Sequence, residues 1–496
     1  MKLGELLRGV PTLEIGASPD LEVIALAYDS RRVERGTLFF AIRGEKSDGH
    51  QFVGSALDRG AIAVVSEREP PPEFAARWIR VEKIRRALSS AAREFLGHPD
   101  SKLLTVGITG TNGKTTTAFL LESILHAAGI PTGLFGTIEY RWGGKARTAI
   151  NTTPESLDLL TYFAQLVESG GEAAVLEASS HALAQERLWG FPFRAAVFTN
   201  LTRDHLDFHH DFESYFAAKR RLFEGLGAPP PELAVINADD PWSVKLMDMP
   251  NPRRITYGMN ASAQVRPLRF EQGLNGLQAT ISAPETTLEI KSPLAGRANL
   301  ANILAAIATS IGLGLPPDRI SEGITSLTSV PGRFDRVDAG QPFLVVVDYA
   351  HTDDALRNVL KTARELTRER LIVLFGCGGD RDRTKRPLMG EAAGELADLV
   401  VLTSDNPRSE DPVTIMNDAL VGLQRTGRPY IPEVDRESAI RKALGEARDG
   451  DVVVLAGKGH ETYQILKDQT VPFDDREVAR KVLHDLGYDG EKDRKD

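Results

Sequence analysis

The chain has 496 residues, too many for one ordinary hydrophobic core, and three units of about 165 residues are the simplest division. With 42% hydrophobic and 26% charged residues it has ample apolar material for packed cores and lacks the composition of a disordered chain. The 60 lysines and arginines against 69 aspartates and glutamates leave a net charge of −9, which excludes a nucleic-acid protein that depends on an overall positive field.

The single cysteine, Cys377, rules out an intramolecular disulfide and a cysteine zinc cage, and favours a reducing compartment, the cytoplasm. Residues 1–16 interleave Glu5, Arg8 and Glu14 with apolar side chains, unlike a signal peptide. No segment approaches the roughly 18 uninterrupted apolar residues of a bilayer span, so no membrane insertion is expected. Short apolar runs at 38–42 and 61–65, set among turn-rich and helical stretches, predict a small α/β domain over residues 1–98. Within it, Tyr28-Asp29-Ser30-Arg31-Arg32-Val33 places a hydroxyl beside two guanidinium groups, which suits a diphosphate and equally suits a plain surface turn. A strand at 103–108 then runs through a glycine-rich turn into a helix over 115–128, the opening of a parallel α/β unit. Further strands at 173–176, 195–199 and 233–236, each separated by a helix-length segment, predict a parallel sheet with helices on both faces over residues 99–330. Past Ser329-Val330-Pro331-Gly332 the alternation restarts. Strands at 343–347, 371–375, 399–403 and 452–455 predict a Rossmann-like domain over 331–496, with a frayed charged tail at 489–496.

The strongest local signal is Gly107-Ile108-Thr109-Gly110-Thr111-Asn112-Gly113-Lys114-Thr115-Thr116. Between a strand and a helix, such glycines turn backbone N–H groups toward phosphate oxygens, Lys114 adds a charge near the β/γ-phosphates, and the Thr115 hydroxyl can ligate Mg2+. The first glycine stands at 107, whereas strict P-loop spacing would put it at Ile108. The loop predicts a nucleoside triphosphate but leaves ATPase, kinase and ligase chemistry open. Glu177, following a buried-looking strand, is suited to hold Mg2+ opposite Thr115, because hard cations prefer oxygen ligands. In the stretch 200–210, His205, His209 and His210 invite a zinc reading, which the absence of neighbouring cysteines and the short histidine spacing disfavour. Lys219, on an amphipathic helix over 215–223, is by spacing alone one more cation on a solvated face.

The run Gly110-Thr111-Asn112-Gly113-Lys114-Thr115-Thr116 resembles the ATP loop of the Mur ligases and of the related folylpolyglutamate synthetases. Asn151-Thr152-Thr153-Pro154 and Glu177-Ala178-Ser179-Ser180-His181-Ala182-Leu183, with Gln185 and Arg187, resemble the substrate and metal segments of the Mur ligases that take a UDP-N-acetylmuramoyl-dipeptide. The likeness runs in consistent order over about residues 25–480. It implies a nucleotide-sugar site that includes Ser30, Asn151, Thr152, Thr153, Ser179, Gln185 and Arg187. It further implies that Asn302, Arg333 and Asp348 join the loop around ATP, and that Thr115, Glu177, His205 and Lys219 serve the magnesium ions. In this resemblance Lys219 carries a CO2-derived carbamate, which makes it an N6-carboxylysine, while Lys114, Lys219, Glu177 and His205 form the catalytic set.

Gly376-Cys377-Gly378-Gly379-Asp380-Arg381-Asp382 and Ser404-Asp405-Asn406-Pro407-Arg408 each follow a predicted strand of the last domain, where open α/β sheets bind ligands. The second motif resembles the diaminopimelate-selecting signature of the family, and Gly457-Lys458-Gly459-His460-Glu461 resembles the closing wall of the same site. Diaminopimelate differs from lysine by one carboxylate. The fork of Arg408 can bind that group bidentately, with Asp405, Asn406 and Glu461 left for the ammonium and Arg381, Pro407 and Gly457 around them. The resemblance thus implies an ATP- and Mg2+-dependent amide ligase that adds meso-2,6-diaminopimelate to the D-Glu γ-carboxylate of UDP-N-acetylmuramoyl-L-alanyl-D-glutamate through an acyl phosphate. That is a cytoplasmic step of peptidoglycan precursor synthesis, carried out by a monomer on small-molecule substrates. A lysine-adding or folate-type ligase of the same fold, or a nucleotide-dependent binding module that ligates nothing, are the rival expectations.

Overall fold

The computed structural model describes residues 1–44, 47–249, 251–273 and 276–488; the tail predicted to fray, 489–496, lies outside them. The first sheet has the order Thr12–Ile15, Trp78–Val81, Ala63–Ser66, Thr37–Phe40, Ala25–Ala27, parallel except at the Thr12–Ile15 edge. Ion pairs of Arg32 with Asp158 (2.8 Å), Arg85 with Glu155 (3.1 Å) and Arg86 with Glu186 (2.7 Å) tie this unit to the one that follows.

The central sheet has eight strands in the order Arg253–Tyr257, Leu233–Asn237, Ala195–Phe198, Leu104–Thr109, Ala173–Glu177, Thr132–Phe135, Glu139–Trp142, Lys145–Thr148. All neighbours are parallel until the last two pairings, which are antiparallel. Its inner strands read as continuous apolar runs because both faces are covered. Val106, Ile108, Val175 and Val197 pack with Phe119, Ile303 and Ile320 on one face. Ala174, Leu176, Ala196 and Phe198 pack with Phe163, Phe216 and Phe223 on the other. Gly107 belongs to this packing: a Cβ there would lie 3.0 Å from Leu222 and Phe193. Ile108 is therefore a core residue, and the phosphate turn begins at Gly110, which accounts for the irregular glycine spacing.

The last sheet orders Asp335–Val337, Leu344–Asp348, Val452–Ala456, Leu371–Phe375, Leu399–Leu402 and Tyr430–Pro432, parallel except for its first pair. The predicted strands are all present, shifted by a residue or two at their ends. Sequence periodicity did not single out the three-stranded antiparallel sheet Arg266–Gly273, Gly276–Ala283, Thr286–Ser292, or the hairpin Tyr463–Leu466 and Gln469–Pro472. No helix among the described residues is long and apolar enough to cross a membrane.

Arg436 opens the helix Arg436–Glu446 and is fully buried with Asp475, the first residue of Asp475–Asp485; two N–H groups of the guanidinium reach the two carboxylate oxygens at 2.8 and 2.6 Å. Its remaining donors reach the carbonyls of Ser404 (3.3 Å) and Ala456 (3.0 Å), at the C-terminal ends of two strands. Removing one member of such a pair strands a buried charge. Arg436→Met is expected to lower the free energy of unfolding by about 3–5 kcal/mol in denaturant titrations, whereas Arg436→Met with Asp475→Leu recovers most of it; equal losses in both variants would mean that the charge pair is not what matters here.

Candidate active site

The strand Leu104–Thr109 hands the chain to the helix Lys114–Ala127 through two glycines that no other residue can replace. Gly110 has φ +148° and a Cβ there would stand 1.8 Å from Thr199 Oγ1; Gly113 has φ +86° and a Cβ there would stand 2.3 Å from Asn302 Oδ1. Asn302 is thus pressed against the loop by the absence of a side chain. Free N–H groups at the start of a long helix make an anion site. The Lys114 ammonium lies over that turn and donates to the carbonyls of Gly110 (2.9 Å) and Thr111 (2.8 Å). Burial draws its pKa below the ordinary lysine range, against the pull of Glu177 and Asp204.

Residues 110–116, Asn302, Arg333 and Asp348 all line one cavity of about 580 Å3. Arg333 donates to Thr115 Oγ1 (3.2 Å) and stacks on Tyr349 at 4.7 Å, and its Nε is buried without a protein acceptor. Asp348 accepts the backbone N–H groups of Phe334 (2.7 Å) and Ala350 (2.9 Å), so its carboxylate also fixes the chain that carries Arg333. Asn112 Nδ2 donates to Asp354 (3.0 Å), joining the loop to the helix Asp353–Leu366.

Glu177, Lys219 and His205 line the same cavity. The Glu177 carboxylate, buried, accepts from Thr115 Oγ1 (3.1 Å) and from the backbone and hydroxyl of Thr137 (both 2.9 Å). Adjacent hydroxyl and carboxylate oxygens fit a hard divalent cation. Among the described residues no three His, Cys, Asp or Glu side chains converge into a cage. Mg2+ tolerates that, since it usually takes one or two carboxylates and completes its shell with phosphate oxygens and water. Lys219 corrects the reading from spacing alone: it is not on a solvated face but 1% exposed, donating to Gly110 O at 2.7 Å and lying 4.2 Å from the centre of the Tyr215 ring. Burial, and Lys114 after it, hold its pKa well below the lysine range, with Asp204 opposing. Enclosure likewise lowers His205 to about 3, Asp204 again opposing.

Of the residues expected around the nucleotide sugar, Thr152 and Ser179 reach the cavity, whereas Ser30, Asn151, Thr153, Gln185 and Arg187 do not line it. Thr153 Oγ1 bonds the carbonyl of Glu177 (2.7 Å) and accepts from Ser179 N (3.0 Å); Arg187 donates to Thr153 O (3.0 Å) and Gln185 Oε1 (2.8 Å) and pairs with Glu155 (3.2 Å). Thr153, Ser179, Gln185 and Arg187 form one strut beneath the cavity wall. Ser30 begins a short turn whose neighbours Tyr28 and Arg32 both bond Asp158.

A second cavity, of about 460 Å3, is lined by Arg381, Asp405, Asn406, Arg408, Gly457 and Glu461, and Pro407 lies in the loop between. Arg408 has φ +52° and anchors to the carbonyl of Gly379 (2.8 Å). Beneath it, the buried Arg386 pairs with Glu410 (2.7 Å) and Asp418 (2.9 Å). Asp204, His205, Tyr349, His351 and Thr352 line both cavities, so the two share one wall. Thr137 lies in no recognisable sequence pattern, and Lys458 sits inside the Gly457-Lys458-Gly459-His460-Glu461 motif, whose spacing gives no sign of its burial.

Comparison with known proteins agrees with this geometry. Family profiles match in sequence: Mur ligase family, catalytic domain, over residues 22–96; Mur ligase middle domain over 108–310; and Mur ligase, glutamate ligase domain, over 332–459. The chain is 58% identical over 491 residues to the UDP-N-acetylmuramoyl-L-alanyl-D-glutamate--2,6-diaminopimelate ligase of Solibacter usitatus, covering 98% of this chain and 99% of that one. It is 46% identical to the protein of the same name from Geobacter metallireducens, with 99% and 100% covered. A solved structure of a ligase of that name superposes with a TM-score of 0.70 at 34% identity over 98% of this chain and 99% of the other. The MurF ligase of Thermotoga maritima in complex with ADP shares the fold, with a TM-score of 0.62 at 21% identity over 94% and 97%. With matching profiles along most of its length and relatives of this identity, the chain belongs to the Mur ligase family.

Proposed function

We propose that this chain is an ATP-dependent, ADP-forming ligase that joins meso-2,6-diaminopimelate to the D-Glu γ-carboxylate of UDP-N-acetylmuramoyl-L-alanyl-D-glutamate, in peptidoglycan precursor synthesis in the cytoplasm. The observation that carries this reading is the common wall of the two cavities: a phosphate loop on one side, and on the other Arg408 in one lining with Asp405 and Glu461. The activity named for relatives 58% and 46% identical supports it. The division into 1–98, 99–330 and 331–496 gives each reactant its own unit: nucleotide sugar, ATP and amino acid. The chain acts as a monomer in this reading.

A carboxylate is a poor electrophile, so the D-Glu oxygen first takes the γ-phosphoryl group of ATP, releasing ADP. Lys114 and the unpaired Arg333 N–H stabilise the charge on the transferring group from within hydrogen-bond reach of the loop. Mg2+, for which Thr115 and Glu177 supply oxygen ligands with His205 and Lys219 nearby, neutralises phosphate charge when bound. The amine of diaminopimelate then attacks the acyl phosphate carbon, and the tetrahedral adduct expels phosphate to leave the amide, its extra proton passing to solvent. Arg408 takes the distal carboxylate, while Asp405, Asn406 and Glu461 take the distal ammonium. Asn151, Thr152 and Ser179 hold the dipeptide end, with Thr153, Gln185 and Arg187 braced behind them, and Ser30 contacts the uridine diphosphate.

Lys219 carries a carbamate in this reading: its neutral amine adds CO2 and releases one proton, exchanging a cation for an anion beside Lys114. What supports it is the burial of Lys219 against Gly110 O and its nearness to a second cation.

Phosphate release measured with the nucleotide dipeptide, ATP and either meso-diaminopimelate or L-lysine is expected to be strongly selective for the former. Arg408→Ala should lower kcat/KM for diaminopimelate by roughly a hundredfold or more while leaving the KM for ATP near the parent value; equal use of lysine by the parent enzyme would remove the task given to Arg408. For Lys219, intact mass under native conditions should show one added CO2, and activity should fall in CO2-depleted buffer and return with bicarbonate. An enzyme indifferent to bicarbonate and lacking the adduct would leave Lys219 a plain amine.

A further inference from the structure

Behind the wall of the second cavity lies a cation that the cavity does not touch. Lys458 follows the strand Val452–Ala456 and is 0% exposed, and it is not part of the cavity lining. Its ammonium stands 3.1 Å from Asn406 Oδ1, 3.4 Å from Glu461 Oε2 and 3.7 Å from Asp405 Oδ1. Asn406 is locked by these bonds: Oδ1 accepts from Lys458 and from Ile465 N (2.9 Å), and Nδ2 donates to Glu461 (2.9 Å). A turn with Glu461 N on Lys458 O (2.9 Å) keeps the ammonium and the carboxylate on one short segment. Every group given to the substrate ammonium is therefore wired to one buried lysine.

The charge count gives that wiring a purpose. Arg436, the other buried cation behind this wall, is matched by Asp475. Lys458 is the cation within ion-pair distance of both Asp405 and Glu461, and these three side chains together keep one negative charge, the amount a single ammonium neutralises. Two carboxylates enclosed together without a cation do not both stay ionised.

We infer that Lys458 is a positioning residue for the amine-binding pole, holding Asp405, Asn406 and Glu461 convergent and setting the pole's net charge to match one ammonium of the incoming amino acid. The task rests on the ligase reading above, since it presumes that the amino acid enters this cavity. Burial and Asp405 already raise the Glu461 pKa, while Lys458 and Asn406 hold it down. The other ionisable groups facing Glu461 are Arg436 behind it and Tyr349 and Tyr463 beside it, with Arg408 near Tyr463.

The test pairs Lys458→Met with Glu461→Gln. Lys458→Met is expected to raise the KM for diaminopimelate roughly 10- to 100-fold near neutral pH with the KM for ATP unchanged, and to make that KM rise further as pH rises, because at acid pH a shared proton keeps the pole at one negative charge and its loss leaves two. In Lys458→Met with Glu461→Gln the pole again carries one negative charge, so the double variant should lose no more than the worse single variant and should lack the pH dependence. A ligand-free readout separates this inference from the substrate assignment. In Lys458→Met, Glu461 loses the cation that holds its pKa down against burial and Asp405, so its folded pKa lies further above the unfolded value and the stability it contributes is full at acid pH and lost as pH rises through the folded pKa. The melting temperature of Lys458→Met should accordingly fall relative to the parent over that rise, and adding Glu461→Gln should abolish the fall. If Lys458→Met alone yields no folded protein, the double variant should restore it. Additive losses in the double variant, an unchanged KM for diaminopimelate in Lys458→Met, or melting curves that move in parallel with pH would each overturn the assignment, whereas a parent enzyme inactive on diaminopimelate with the melting behaviour intact would overturn only the substrate.

Discussion

Two buried ammonium groups, from Lys114 and Lys219, converge on the carbonyl oxygen of Gly110 at 2.9 and 2.7 Å. One neutral acceptor cannot offset two cations in an enclosed site: burial lowers both pKa values, with Arg333 lowering Lys114 further and Lys114 lowering Lys219 further. Nearby Asp204 and Glu177 contribute negative charge, yet Glu177 is already held by Thr115 and Thr137. The enclosed site thus lacks negative charge, which the carbamate proposed for Lys219 and the anionic phosphates of ATP supply. Much of the surrounding architecture follows from keeping that deficit in place: glycines at 110 and 113 bring the backbone and Asn302 close, and the strand end of Ala173–Glu177 delivers the carboxylate opposite.

The second cavity solves the reverse problem. There, carboxylates outnumber the nearby buried cation and the surplus is negative, which suits an ammonium as the first suits phosphate. Arg408 adds a cation to the same lining, so the cavity is dipolar and matches a zwitterionic amino-acid end. Because the two cavities share Asp204, His205, Tyr349, His351 and Thr352, opposite surpluses sit across one wall. That arrangement draws a nucleophilic amine and a phosphorylated carboxylate toward the same place.

These placements depend on contacts between sheets that lie far apart in the chain. Asn112 meets Asp354, Arg333 meets Thr115, and Arg203 meets Thr384 (2.9 Å) and Asp382 (3.8 Å), through hydrogen bonds and one ion pair. Polar contacts of this kind hold units in register while costing little to break, as a site that must admit three reactants requires.

The sequence by itself determined the layered α/β architecture, because apolar runs at a period of two or in continuous blocks, divided by helix-length segments, are local patterns set by burial on one or both faces of a sheet. It also settled the chemistry on offer: a phosphate turn at 110–116, an acid at Glu177, and an arginine after two amide- and acid-bearing residues at 405–408. Tertiary structure decided which of those groups lose water. Lys219 has the spacing of a surface cation and is buried because a loop 109 residues earlier folds over its helix face. Lys458 lies within a glycine-rich motif that gives no hint of burial, and only the meeting of three strand ends encloses it with Asp405 and Glu461. The antiparallel strand Lys145–Thr148 has no buried residue and so leaves no hydrophobic pattern to read. Solvation is a property of the assembled fold, and the pKa values, charge balances and ligand preferences that depend on it are fixed by long-range packing rather than by neighbours in the chain.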